Sequence, residues 1–263
     1  MNLSFDHLVH FTNNPIVTAE TLKQKGFSVS QGGEHAHWGT FNALSYFGLS
    51  YLEFLGINHR TIAETAALEN NLIEQAVQWL PNREGFGRIA LRTNEIDSVA
   101  ARMKDLGFKI HGPVPGKRTR EDGITIQWKM LFIEASNDEL PYPFFIQWNQ
   151  SDEERKQDLA KNQQAHSISN LTFKEVVFAV HDSYKTANRW ADCLGLRMSP
   201  LEKEKETHKL VLNGGDLIFT SSKNNRVSEY LERHGEGPFL MKFIGDKPLP
   251  AAEISGAYFQ VNE

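Results

Sequence analysis

The chain repeats itself, and this limits its folds more than any other feature. Residues 5–27, FDHLVHFTNNPIVTAETLKQKGF, align without a gap onto residues 86–108, FGRIALRTNEIDSVAARMKDLGF, at a shift of 81 positions with seven identities in 23. Chance at roughly 6% per position gives one or two, so the similarity marks a duplicated structural unit. A fainter copy opens at Phe173 with FKEVVFAV and SYKTANRWADCLGLRMSP, and needs a small gap before Gly195. A fourth echo is visible where Arg83-Glu84-Gly85 and Gly235-Glu236-Gly237 each lead into an apolar run, after a short helical stretch beginning near Asn70-Asn71 or Asn224-Asn225. The expected organisation is four modules in two pairs, the last one truncated.

Each full module has one grammar. A β-rich run (Phe5 to Phe11, Phe86 to Leu91, Phe173 to Val180) precedes a stretch with helical apolar spacing such as Val99, Met103 and Leu106. Gly26, Gly107 and Gly195 then stand where a helix end favours a left-handed residue. Further runs rich in β-branched and aromatic residues follow: Thr40 to Phe47 and Tyr51 to Leu55, or Ile124 to Ile133 and Pro143 to Trp148. The order is β-α-β-β-β, which predicts an α+β protein of tandem modules with curled mixed sheets. Residues 1–150 would form one paired-module domain (1–57 and 83–150), 151–170 a polar linker, and 171–263 a degenerate second pair serving as scaffold or dimerisation half.

Composition removes several classes of function. Apolar residues at 40% and charged residues at 23% describe a chain with a real core, not a disordered one. A net charge of −5 without a basic stripe argues against nucleic-acid binding. No run approaches the roughly 18 to 20 apolar residues of a membrane span, and MNLSFDHLVHF lacks the features of a signal peptide. The single cysteine, Cys193, excludes an internal disulfide and a thiolate metal cage, and its ADCLGL context reads as core packing. A cytoplasmic protein with a small-molecule partner is expected, with homodimerisation one role for the second half.

Modules of this order opening on Asp6-His7-Leu8-Val9 resemble the vicinal oxygen chelate (VOC) superfamily, the glyoxalase, bleomycin-resistance and extradiol-dioxygenase fold. The stretch from Gly32 to Ile57, with a His-containing turn, Gly39-Thr40-x-Asn42 and Tyr51-Leu52-Glu53, is similar to the glyoxalase-like branch. The resemblance implies two modules closing around a cleft, each giving it one residue from its first strand and one from its last. Carried over, these are His7 and Glu53 from the first module and Arg88 and Gln147 from the second. Alternation expects Phe5, His7 and Val9 on one strand face and Tyr51, Glu53 and Leu55 on another. His10 would point the opposite way, as a structural residue.

An imidazole and a carboxylate suit a divalent ion, so zinc, nickel, iron or manganese held by His7, Glu53 and Gln147 is one expectation. Arg88 cannot ligate, since guanidinium stays protonated; it either holds a substrate anion or pairs with Glu53. His37, with His35 in the same Gly-rich turn, is placed to cap the cleft or to act as a base, or is a tolerated loop histidine. Asn42 would orient a ligand oxygen, while Trp38, Tyr51 and Phe145 would wall the cleft. In the second pair Glu175 replaces His7 and Ile218 replaces Glu53, which removes the polar set. Three readings follow. One is an enzyme of lyase, isomerase or dioxygenase type that stabilises an enediolate-like anion of a small oxygenated substrate. Another is a metal-free protein sequestering an aromatic or amphipathic molecule in the same cleft. The third is a structural or interaction role with a vestigial site.

Overall fold

The computed structural model describes residues 1–119, 123–134, 140–162, 164–200, 206–222 and 224–263. The first module runs β1 (Ser4–Phe11), α1 (Pro15–Gln24), β2 (Ser30–His35), β3 (Thr40–Phe47) and β4 (Ser50–Ile57). Two helices follow, α2 (Arg60–Ala66) and α3 (Asn71–Trp79). The second module is β5 (Gly85–Arg92), α4 (Ile96–Asp105), β6 (Ile110–Thr119), β7 (Thr125–Ile133) and β8 (Phe144–Trp148). After α5 (Asp152–Asn162) comes the third: β9 (Thr172–Ala179), α6 (Ser183–Leu194), β10 (Arg197–Pro200), β11 (Thr207–Val211) and β12 (Asp216–Thr220). Helix α7 (Asn225–His234) leads to β13 (Gly237–Ile244), β14 (Leu249–Ile254) and β15 (Ala257–Asn262), a fourth module without its helix and one strand. The fold is α+β, with repeated β-α-β-β-β modules.

Local chemistry explains the helix boundaries. Asn14 accepts the Ile16 and Val17 amides at the start of α1, with Pro15 in the first turn. Asn70 and Asn224 cap α3 and α7 in the same way. Gly26, Gly107 and Gly195 have φ of 97°, 83° and 65°, the left-handed conformation expected of them after the three module helices.

The first two modules share an eight-stranded sheet in the order β2-β3-β4-β1-β5-β8-β7-β6, and the last two a seven-stranded sheet in the order β10-β11-β12-β9-β13-β15-β14. The central antiparallel pair preserves the duplication. Phe5 pairs with Leu91 and His10 with Phe86, so a shift of 81 carries one pair into the other, with Leu8 and Ile89 at the pseudo-twofold centre. The backs of both sheets and helices α1, α4 and α6 bury one common core, including Phe5, Leu8, Phe86 and Ile89 from one sheet and Val176, Phe178, Met241 and Phe259 from the other. Cys193 lies in this core, where burial pushes its thiol up to about 11. The two halves are therefore not separately cored.

The segment expected as a linker folds and docks. Arg155 of α5 is 6% exposed and Ile168 is 2% exposed, and the Ser167 and Ile168 amides bond to the Gly26 carbonyl. Polarity misled here: the segment attaches through charged groups and one isoleucine. No helix among the described residues is long and apolar enough to cross a membrane.

The concave face of the first sheet carries a second apolar cluster. Helices α2 and α3 lie on it, placing Ala63, Leu72, Ile73 and Ala76 against Val9, Phe11, Ala90 and Phe144. In the second sheet, Glu175 and Ile218 stand at the register positions of His7 and Glu53, since Ile218 pairs with Val177 as Glu53 pairs with Val9. There Val227 and Tyr230 of α7 fill the concave face over Ile218 and Leu240, while Glu175 is neutralised by Lys242 at 2.8 Å.

Candidate functional site

A cavity of about 60 Å³ opens in the first concave sheet, lined by His7, Tyr51, Glu53, Leu55, Phe144 and Ile146 from the central strands. Trp38, His35, Asn42, Tyr46, Trp128, Trp148 and Arg118 close it from the flanking strands, and Leu72 and Ile73 of α3 form one wall.

A bulge organises its polar side. Phe5 pairs with Leu91 and His7 with Ala90, leaving Asp6 as the extra residue on β1. The expected alternation of Phe5, His7 and Val9 fails at this point. Phe5 joins the shared core behind the sheet, whereas His7 faces the cavity. Asp6, fully buried, accepts a hydrogen bond from His7 Nδ1 at 2.7 Å through one oxygen. Its other oxygen accepts from Trp148 Nε1 at 3.0 Å and from Arg92 Nη1 and Arg155 Nη1, each at 3.3 Å. Arg92 also holds Asp152 at 2.8 Å. Burial alone would keep the Asp6 proton on, but Arg155, the His7 bond and Arg92 outweigh it and hold the carboxyl well below the usual carboxylate range.

This arrangement fixes His7. With Nδ1–H directed to Asp6, Nε2 faces Glu53 Oε2 at 3.6 Å, and the ring stacks on Tyr51 at 4.4 Å with Phe144 edge-on at 5.4 Å. The second oxygen of Glu53 accepts from Asn42 Nδ2 at 2.5 Å. His7 and Glu53 thus stand side by side in the cavity lining. His35 has Nδ1 3.0 Å from Thr40 Oγ1, and burial lowers it to about 4, which keeps it neutral. Burial raises Tyr46 and Tyr51, which keep their phenolic protons. Arg118 donates to the Gly32 carbonyl and brings positive charge to the cavity wall.

Several expected site residues lie elsewhere. Gln147 is on the opposite face of β8, where its Oε1 caps α4 by accepting from the Ile96 amide at 2.9 Å. Register explains the error: Ala90 pairs with Phe144 as Val9 pairs with Glu53, so Phe144 occupies the position equivalent to Glu53. Phe145 faces the common core and cannot wall the cleft. Arg88 belongs to another cavity, behind α3, and makes no ion pair with Glu53 among the described residues. His37 lines an adjoining groove with Lys129 and Gln147. His10 faces away from the cavity, with Nε2 bonded to the Ser255 carbonyl at 2.7 Å. Asp6, Arg92, Arg155 and Arg118 were not anticipated. The Asp6-His7 dipeptide was the available signal for the first of them, hidden by the assumption of strict alternation.

The resemblance to the VOC superfamily raises the question of a metal. The positions that register makes equivalent are His7, Glu53, Arg88 and Phe144, and the last two offer no lone pair. Among the described residues, no three of His, Cys, Asp and Glu converge on one point. With Gln147 turned away, these side chains do not fit a divalent ion.

The sequence pattern of the glyoxalase-like domain family matches residues 5–194. The chain belongs to that family. Among solved structures, the glyoxalase-like chain is similar to a hypothetical protein from Staphylococcus aureus, with TM-score 0.83, 22% identity and 99% of each chain covered. A triple mutant of 4-hydroxymandelate synthase from Streptomyces coelicolor covers 94% of this chain and 72% of its own, with TM-score 0.56 and 12% identity. A variant methylmalonyl-CoA epimerase from the same organism, in complex with 2-nitronate-propionyl-CoA, covers 56% of this chain and 98% of its own, with TM-score 0.43 and 20% identity. No curated protein matches. The family match and the likeness at TM-score 0.83 establish the fold and leave the reaction to be argued from the site.

Two buried histidines of the glyoxalase-like domain make its stability depend on pH. Burial lowers both His10 and His35 from 6.5 to about 4. Between those values the unfolded chain binds protons that the folded chain does not, so stability falls as pH drops through the window. The loss is about 3 kcal/mol per group by its lower end. Denaturant titrations from pH 7.5 to 4.5 should show this slope, and a flat profile would remove the two histidines as its cause.

Proposed function

We propose that the cavity binds a small oxygenated molecule of a few heavy atoms, such as a hydroxy- or keto-carbonyl compound. There the His7–Glu53 pair moves a proton next to its carbonyl group. The observation that carries this reading is the chain from Asp6 through His7 to Glu53 ending on a cavity of about 60 Å³. That space corresponds to roughly four to six water-sized positions, less than the 150 Å³ cavity that takes up benzene. The size favours a small substrate over the aromatic or amphipathic ligand of the sequestration reading.

In the proposed reaction Glu53 accepts a proton from the carbon beside the carbonyl. The C–H electron pair passes to the carbonyl oxygen, giving an enediolate-like anion. His7, held by Asp6, takes the hydroxyl proton of this anion at Nε2 and gives it to the former carbonyl oxygen, and Glu53 returns its proton to the former carbonyl carbon, which completes the isomerisation of a hydroxy-carbonyl compound. Arg118 supplies the positive charge for the anion, the role assigned from sequence to Arg88. Asn42 orients Glu53, and the apolar wall excludes water, which strengthens each of these interactions.

The test is solvent-isotope exchange. Small hydroxy-aldehydes, hydroxy-ketones and keto acids are incubated with the protein in D₂O and followed by proton NMR. Loss of the signal at the carbon beside the carbonyl supports proton transfer. Binding without exchange supports sequestration, and neither outcome with any member of the set overturns the proposal.

A further inference from the structure

Among the described residues, Arg88 is a buried cation without a hydrogen-bonded partner. It is 7% exposed, and its Nε–H meets no acceptor. The group acting on it electrostatically is Glu74 of α3, which forms no ion pair with it among the described residues. Leaving a buried charge unpaired is costly, and structures retain such groups mainly where they do something. Arg88 lines a polar cavity of about 590 Å³ on the far side of α3 from His7, between β5, α3 and the start of β13. The cavity lining thus sets one cation among several carboxylates.

We infer that this second cavity is a binding site for a small monocarboxylate bearing a neighbouring hydrogen-bond donor, the chemistry of an α-amino or α-hydroxy acid. The guanidinium of Arg88 takes the carboxylate through two parallel N–H bonds, and the glutamates of the lining accept from the adjacent ammonium or hydroxyl. Charge selects the class. Glu74, Glu134 and Glu236 also line the cavity. They repel a phosphate dianion and favour a ligand whose single negative charge is buried on Arg88, with its donor toward the carboxylates. Trp79 and Pro238 supply apolar surface for a short side chain. The site does not depend on proton transfer at His7 and Glu53, because Leu72 and Ile73 of α3 separate the two chambers.

The test uses the full-length chain with L-alanine, L-lactate, acetate and inorganic phosphate as probes, read by calorimetric titration and thermal shift. L-alanine or L-lactate should raise Tm and bind more tightly than acetate, with phosphate inert. Arg88→Met should weaken that binding about 10- to 100-fold. A buried cation kept for a ligand is a burden on the free protein, so Arg88→Met should leave its Tm unchanged or raised. A strongly lowered Tm would make Arg88 a structural residue and overturn the assignment. Equal binding by Arg88→Met would overturn it too, as would preference for phosphate or no response to any probe.

Discussion

Glu53→Gln should slow solvent-isotope exchange by about 10²- to 10⁴-fold, the usual contribution of a positioned general base. The substitution is informative because it changes so little else. The amide keeps an oxygen for the Asn42 Nδ2 donor that now lies 2.5 Å from Glu53, and its nitrogen donates toward His7 Nε2, now 3.6 Å from the carboxylate. Shape, polarity and stacking are retained, and the proton acceptor is gone. Binding of a non-exchanging analogue should remain within a factor of a few, with stability changed by less than about 1 kcal/mol. His7→Asn removes the partner and should produce a comparable loss. Unchanged exchange in Glu53→Gln would mean that the carboxylate is not the base, and would leave the cavity only a binding role.

Asp6→Ala should destabilise the protein by about 3–5 kcal/mol, the range for removing one side of a buried ion pair. Arg92 and Arg155 lose a shared counter-charge, Trp148 Nε1 loses its acceptor, and His7 Nδ1 loses its orienting bond. Arg92 keeps Asp152, so the greater loss falls on Arg155, 6% exposed over the Trp148 ring at 4.2 Å. Removing that cation as well, in Asp6→Ala with Arg155→Leu, should recover part of the stability. Denaturant unfolding at pH 7 measures both, and a loss below 1 kcal/mol would show that the network is screened. The same group sets an acid limit. Its folded-state titration lies below the unfolded value of 3.8, so its contribution is complete above that pH and disappears as acid protonates it. This acts below the window assigned to His10 and His35, and two successive losses should be resolved.

The fold was largely legible because duplication is written in identities. The shift of 81 read from Phe5/Phe86 and Gly26/Gly107 reappears as the register symmetry of β1 and β5. Glu53 and Tyr51 lie beside the cavity because β4 pairs regularly with β3 and β1. The second module failed at the matching step: strand similarity selected Gln147, whereas three-dimensional register selects Phe144, and a slip of this kind turns a side chain to the other face. Asp6 was missed because a bulge is an exception to alternation that leaves no mark in composition. Arg155 was missed because SDEERKQDLAKNQQ looks solvated, and only a buried carboxylate elsewhere in the chain gives one of its cations a destination. Nothing in the spacing of residues 58–82 indicated that α3 would cross the concave sheet and separate Arg88 from His7.

The docking of α5 and the single core behind both sheets bear on how this gene could be dissected. A protein ending at residue 150 would keep every residue that lines the His7 cavity. It would lose Arg155, and would expose Phe5, Leu8, Phe86 and Ile89, now covered from the other sheet. Such a fragment should be recovered as aggregate, not as a minimal domain. The half without the polar pair therefore serves the other as its cover against water.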